Sequence, residues 1–312
     1  MSSSNPPESS VAPSQTPPGP RPRWPIGRWL LTLFVVAAIY VGFIFLTPKS
    51  RAQFKWAAAV NALEAGKVTE AKQLANEALA IFGDDASLQR FSAELFYRVD
   101  EPEKANEHLE QAIELADDNP YILNSASFLF ARLGEHEKSL ALADKIVELA
   151  ETQRTIHMHR ALNQRAYAIA LAAADGQATP EQIKQGLIDI NQALSVFVHE
   201  DTVIDDQIAN YLDTRGYLEL FAGAPQQGLE DLNKAIAVYE LVRRELLSQA
   251  KEQDPEKVPV AAAAADKEFQ GVLAVLYSHR AAIYEKLKQT EAAEEDLARA
   301  KELGLSRKKG IW

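Results

Sequence analysis

Histidines and paired carboxylates come nearest in this chain to a catalytic or metal-binding pattern. His157 and His159 flank Met158. A His-x-His pair chelates a metal when both rings face one side, but on a helix residues two apart point to different sides. The matched spacing of a zinc site is also lacking, so no metal is expected. Asp84-Asp85, Asp117-Asp118 and Asp205-Asp206 are adjacent acids of the kind that form catalytic dyads when buried. Each stands in a loop or at a helix start, where the helix dipole favours a solvated carboxylate. With no cysteine there are no disulfides, no thiolate metal sites and no thiol nucleophile. Glycine-rich phosphate loops, G-x-S-x-G and H-E-x-x-H are all missing. The expectation is a protein that is not an enzyme and that needs no cofactor.

The elements that would carry any binding chemistry sit in an acidic chain with one long apolar run. Of 33 Lys+Arg and 44 Asp+Glu, only five and one precede Ala52, which leaves the rest of the chain at a formal −15. Such a body repels polyanions, and nucleic acid is excluded as a general partner. Trp29 to Leu46 reads WLLTLFVVAAIYVGFIFL, an uncharged run of 18 residues, roughly 27 Å as a helix and close to the bilayer core. Its flanks carry Arg28 and Lys49, with Trp24 and Trp29 at the N-terminal edge, where indoles favour the headgroup zone. A cleaved signal peptide and a buried soluble helix are the alternatives. The long preceding segment, the length of the run and the lack of a small-residue cleavage site favour a retained single-pass membrane anchor. Three basic residues on each side leave the orientation close to a tie; the repeats are placed outside the cytoplasm. Residues 1–28 are rich in Ser and Pro and are expected to be a disordered tail.

A 34-residue echo runs through the chain from Ala52 onward. Ala71, Ala105 and Ser139 are 34 apart, as are Ala78 and Ala112, and Gly66 and Gly134 fall two periods apart. A fixed period of this length marks stacked helix–turn–helix units. Units start at Ala52, Ala86 and Pro120, and three more come at looser spacing, built around Ala161–Leu171, Tyr211–Val238 and Tyr277–Gly304.

These residues resemble tetratricopeptide repeats, whose pattern places small side chains at the eighth, twentieth and twenty-seventh positions. The eighth holds Ala59, Ala93, Ser127, Ala166, Gly216 and Ala281. The twentieth holds Ala71, Ala105, Ser139, Gly186, Gly228 and Ala293. The twenty-seventh holds Ala78, Ala112, Ile146, Ala193, Ala235 and Ala300. Small residues let paired helices approach to about 8–10 Å. The pattern departs from the family at the fourth position of the first two units, Lys55 and Gln89, and in the missing closing proline. The resemblance implies an all-α protein: a right-handed α-solenoid of about six tetratricopeptide repeats preceded by one transmembrane helix. Units one to three occupy 52–153, units four and five 154–240, a helical extension or insertion 241–272, unit six 273–304 and a tail 305–312.

In this family the inner wall comes from the first helix of each unit at positions 2, 5, 9, 12 and 13. Carried over, these are Arg90, Tyr97 and Arg98 in unit two and Tyr121, Asn124, Phe128 and Arg132 in unit three. Unit four gives Arg160, Asn163 and Tyr167; unit five gives Asn210, Asp213 and Tyr217. Asn pairs with both groups of a peptide backbone, Arg clamps a carboxylate, and aromatic rings anchor apolar side chains. The expected function is a membrane-anchored scaffold that binds a peptide or helical segment of another protein in this groove, for assembly of an envelope or secretion complex. A self-associating structural solenoid is the alternative, with a homo-oligomer as its partner state. The fifth-position Lys of the co-chaperone carboxylate clamp is absent, which argues against chaperone-tail binding.

Overall fold

Capping chemistry sets the helix boundaries. In the computed structural model, which describes residues 47–153, 156–199, 206–253 and 260–306 together with Trp29, 33–36 and Gly42, Asp85 accepts from the Ser87 and Leu88 amides and Asn119 from the Tyr121 amide. Thr179 and Gln182 exchange hydrogen bonds in a capping box. Proline opens the helices at 102, 120 and 180, where its missing N–H costs nothing. The first helix of every unit is followed by a residue in the left-handed region. Four are glycines (66, 134, 176, 223), but Asp100 and Lys288 take the same conformation at φ 67° and 60°.

From Pro48 onward the described residues form twelve α-helices in six pairs: α1 (Pro48–Glu64) with α2 (Val68–Phe82), α3 (Ala86–Arg98) with α4 (Pro102–Glu114), α5 (Pro120–Arg132) with α6 (His136–Thr152), α7 (Met158–Ala174) with α8 (Pro180–Ser195), α9 (Asp206–Phe221) with α10 (Pro225–Gln253), and α11 (Val260–Lys286) with α12 (Thr290–Glu302). A short 3₁₀ turn, Val196–His199, follows α8. Of the chain's two compact units, Met1–Ser50 and Arg51–Trp312, the second holds the repeats. Within it, from α3 onward, each odd helix packs on its own even partner, on the even helix before it and on the neighbouring odd helices. The odd helices therefore form one continuous layer. This is an α-solenoid of stacked helical hairpins. Most of 29–46, all of 1–28 and 307–312 lie outside the described residues, and no helix among those described is long and apolar enough to cross a membrane.

The phased small residues are where helices meet. Ala59, Ala93, Ser127 and Ala166 are fully buried, as are Ala71, Ala105 and Ser139, and Ala78, Ala112, Ala193, Ala235 and Ala300. In the fifth unit both helices need glycine: a Cβ on Gly216 would lie 2.8 Å from the Gly228 carbonyl, and one on Gly228 would run into the Gly216 carbonyl. The two departures at the fourth position find partners. Gln89 is buried, donating to the Gly83 carbonyl and bonded to His108 Nδ1, and Lys55 pairs with Glu77 at 2.6 Å.

Units four to six add an ionic device that the small-residue pattern does not announce. Arg165, Arg215 and Arg280 stand one residue before the eighth position. Each forks onto an aspartate of its own second helix, Asp189, Asp231 or Asp296, with both bonds at 2.5–2.9 Å. The third nitrogen reaches the preceding unit, at Asp144, Asn191 or Asn233. One guanidinium thus ties three helices, and hydrogen bonding to the aspartate raises the pKa of Arg165 and Arg215 above the ordinary value. At the same places units one to three carry Ala58 with Leu74, Ser92 with His108 and Ala126 with Leu142. Helices α10 and α11 run past the ordinary unit length, joined there by Arg243–Asp266 at 2.6 Å and a Tyr239–Phe269 edge contact. Lys267 on this extension reaches Glu64 of α1 at 3.5 Å.

This packing is open to two stability tests. Gly228→Ala is expected to cost about 1–3 kcal/mol, as overpacking does, whereas Gly186→Ala, whose Cβ meets side-chain ends only, Leu218 at 3.1 Å and Ile169 at 3.4 Å, costs less; thermal unfolding separates the two. Glu219, beside the Arg215–Asp231 pair, has a buried Oε2 without a hydrogen-bond partner among the described residues, and burial, reinforced by Asp231, raises its pKa to about 7. The folded state therefore holds a proton that the unfolded state releases near pH 4.5. Its contribution is most favourable below that pH and is lost as pH rises to 7. Glu219→Gln is expected to raise the melting temperature at pH 8 and to have little effect at pH 4.5.

Candidate functional site

Placed on the odd helices, the sequence-predicted residues form rows. Position two contributes Tyr121 on α5, Arg160 on α7 and Asn210 on α9. Position five contributes Asn124, Asn163 and Asp213, and position nine Phe128, Tyr167 and Tyr217. All but Tyr217 line one open cavity of about 1440 Å³. Its remaining walls include the turns that enter α5 and α7 (Asp117 to Pro120; Gln153, Ile156 and His157), together with Val272, Val275 and Leu276 of α11. Val275 of that wall stands at position two of unit six, in the row of Tyr121, Arg160 and Asn210, whereas Val272 belongs to the extension before the unit.

The floor is a bonded network. The Phe128 and Tyr167 rings stack at 6.0 Å, with the Arg132 guanidinium 5.2 Å from the Phe128 centroid and its Nη2 donating to the Tyr167 hydroxyl at 3.4 Å. Tyr217 stacks on His279 of α11 at 3.9 Å, and His279 Nδ1 lies 2.8 Å from a carboxylate oxygen of buried Asp213. Burial raises the Tyr167 phenol to about 12 and moves Tyr217 upward as well, so both hydroxyls keep their protons near neutrality. Four consecutive odd helices are joined through these side chains.

The rim differs. Tyr121 is 79% exposed, Asn124 is exposed, and Arg160 is exposed with no ion pair or side-chain hydrogen bond among the described residues. Asn163 has a buried Oδ1 that no group among the described residues satisfies. Asn210 accepts from the Tyr239 hydroxyl at 2.8 Å.

Five predicted residues stand elsewhere. Tyr97 is a core side chain, 6% exposed, because position twelve faces the neighbouring odd helix; Ala131, Ala170 and Leu220, its counterparts, are buried too. Arg90 lies over the Phe91 ring at 3.9 Å and meets Glu94 at 3.6 Å, one unit before the cavity, as does Arg98. Arg132 and Tyr217 belong to the network beneath the cavity. The His157–His159 geometry also differs from the helical expectation. His157 precedes α7 as its N-cap residue, so the two rings approach to 5.5 Å. His159 bonds the Tyr211 hydroxyl through Nδ1 at 2.9 Å, and burial lowers its pKa. Among the described residues no group of three or more His, Cys, Asp or Glu side chains is arranged to hold a metal.

The architecture is that of stacked tetratricopeptide-like hairpins. A solved structure of a putative kinesin light chain from Podosopora anserina, with nearly identical TPR-like repeats, matches with a TM-score of 0.51 at 16% identity, covering 64% of this chain and 98% of that one. PilW, described as a widely conserved type IV pilus biogenesis factor, matches at 0.49 with 16% identity over 84% and 98%. A tetratricopeptide repeat protein from Parabacteroides merdae gives 0.43 and 19% identity over 83% and 95%. At these identities the likeness defines the fold alone. No protein-family model matches the chain, nor does any curated protein.

The division between floor and rim has a measurable consequence. His279→Ala removes a stacked ring and leaves the Asp213 carboxylate buried without its partner, a change expected to cost about 3 kcal/mol. Arg160→Ala leaves the melting temperature within a degree or two, as surface substitutions do.

Proposed function

We propose that the chain is a protein-interaction scaffold that holds a segment of another protein along α5, α7 and α9. The observation that supports this most is the unspent chemistry of the rim. Arg160 carries a charge without a counter-ion among the described residues, Asn124 and Asn163 offer amide groups, and Tyr121 presents a bare ring over an open cavity. Asn pairs with backbone N–H and C=O alike, and Arg grips a carboxylate side chain or chain end through two parallel bonds. A rigid row of such groups is a binding surface rather than a reaction centre, and extended surfaces of stacked repeats serve this purpose.

Residues 29–46 are proposed as a single-pass anchor that holds the scaffold at a membrane, with the repeats outside the cytoplasm. The support is the uncharged 18-residue run itself. Assembly of an envelope or secretion complex is the process such a tether would serve.

A photo-activated cross-linker at position 124 of the full-length chain, used in intact cells, is expected to capture a discrete partner. Asn163→Ala combined with Arg160→Ala should abolish that capture while the helical circular dichroism stays unchanged. Undiminished capture in the double variant overturns the groove reading. Release of the full-length chain from membranes by alkaline carbonate overturns the anchor.

A further inference from the structure

The rows fix not only the position of a ligand but its pitch. Neighbouring odd helices in contact lie about 8–10 Å apart. A segment that offers the same group to Asn124 on α5 and to Asn163 on α7 must repeat over that distance. A β-strand returns to the same face after about 6.6–6.8 Å and falls out of step by the second helix. An α-helix has its backbone groups bonded internally, so it brings nothing to the Asn124 and Asn163 amides. A polyproline II segment makes one turn in three residues, about 9.3 Å, and keeps every N–H and C=O that it has free to bond outward.

The side chains favour the same occupant. Segments of this kind dock against aromatic rings, since their rigid apolar ridges lie flat on π faces. Tyr121 stands open at the rim, and the stacked Phe128 and Tyr167 rings lie beside the amide row. The buried, unsatisfied Oδ1 of Asn163 needs an N–H, which proline lacks, so the residue facing α7 is not proline. Arg160, one turn before Asn163 on the same helix and free of any ion pair among the described residues, calls for an acid at that point.

We infer that the cavity binds a proline-rich polyproline II segment in which every third residue is not proline and the one opposite α7 is acidic. This rests on the groove reading and narrows it to one ligand class.

Fluorescence anisotropy with the full-length chain in detergent micelles tests it. The probe is labelled Pro-Pro-Ala-Pro-Pro-Glu-Pro-Pro-Ala, compared with the same peptide carrying glycine for every proline and with a version carrying lysine for glutamate. The proline probe is expected to bind about tenfold tighter than the glycine analogue, because its conformation is preset. Lysine for glutamate, Arg160→Ala and Tyr121→Ala should each weaken it by about fivefold or more. Equal affinity for the proline and glycine peptides overturns the polyproline II assignment and leaves the scaffold reading intact. No binding of the proline probe, with cross-linking from position 124 still productive, does the same. Binding that neither Arg160→Ala nor Tyr121→Ala weakens places the probe elsewhere and overturns the inference. Loss of both probe binding and cross-linking at position 124 removes both readings.

Discussion

Close approach of helix backbones is the constraint on which everything else depends. At the eighth and twentieth positions the space between paired helices admits nothing larger than serine, and in the fifth unit it admits only hydrogen. A larger side chain there would push one helix away from the other and tilt the unit on its neighbours. The odd helices would then lose their regular spacing, and the rows at positions two, five and nine would no longer align. The alignment of the cavity wall is therefore set by residues that do not line it.

The two halves of the array meet this constraint differently. Units one to three carry small side chains, Ala58, Ser92 and Ala126, at the position before the eighth, while units four to six use the Arg165, Arg215 and Arg280 clamps. Burying an aspartate such as Asp189 is costly unless its charge is neutralised and its oxygens are bonded. The forked guanidinium does both, and Gln185 adds a further bond at 2.8 Å. Apolar side chains can slide past one another at small cost. A fork that must reach its own aspartate and an acceptor on the previous unit admits one register only. Ionic clamping thus coincides with the stretch where α7, α9 and α11 must hold a common floor.

Much of this was legible in the sequence because period and residue size are one-dimensional properties. The three small positions, the left-handed turns at Gly66 and Gly134 and the grouping into six units needed only counting. What escaped depends on angle and on partners distant in the chain. Tyr97 reads as a wall residue by position, yet position twelve is buried in α3, α5, α7 and α9 alike. Lys288 gives no sign of adopting φ 60°, because the turn chemistry that usually announces it is glycine. Arg215 looks like a solvated charge until Asp231, sixteen residues on, is brought beneath it. Position five read as a row of ligand-facing groups, but Asp213 is spent on His279, which a pattern search assigns no role. Of the apolar wall, Val272 lies in the extension before unit six and so has no phase, whereas Val275 falls in phase at position two of that unit.

Separating floor from rim has a physical logic. In the floor, Arg132, Tyr167, Tyr217, Asp213 and His279 bond to and stack on one another, so these contacts contribute to stability whether or not a ligand is present. In the rim, Tyr121, Asn124 and Arg160 are exposed and contribute little to the fold. In the proposed scaffold role a bound segment would gain contacts without breaking any, and little would be lost to rearrangement, because the supporting rings are already fixed. The same arrangement lets rim residues change the preferred ligand with small effect on stability, since surface substitutions away from special contacts shift it by only about 0.5 kcal/mol. A repeat array that commits its buried polar groups to neighbours and its exposed ones to partners keeps one scaffold while specificity varies along it.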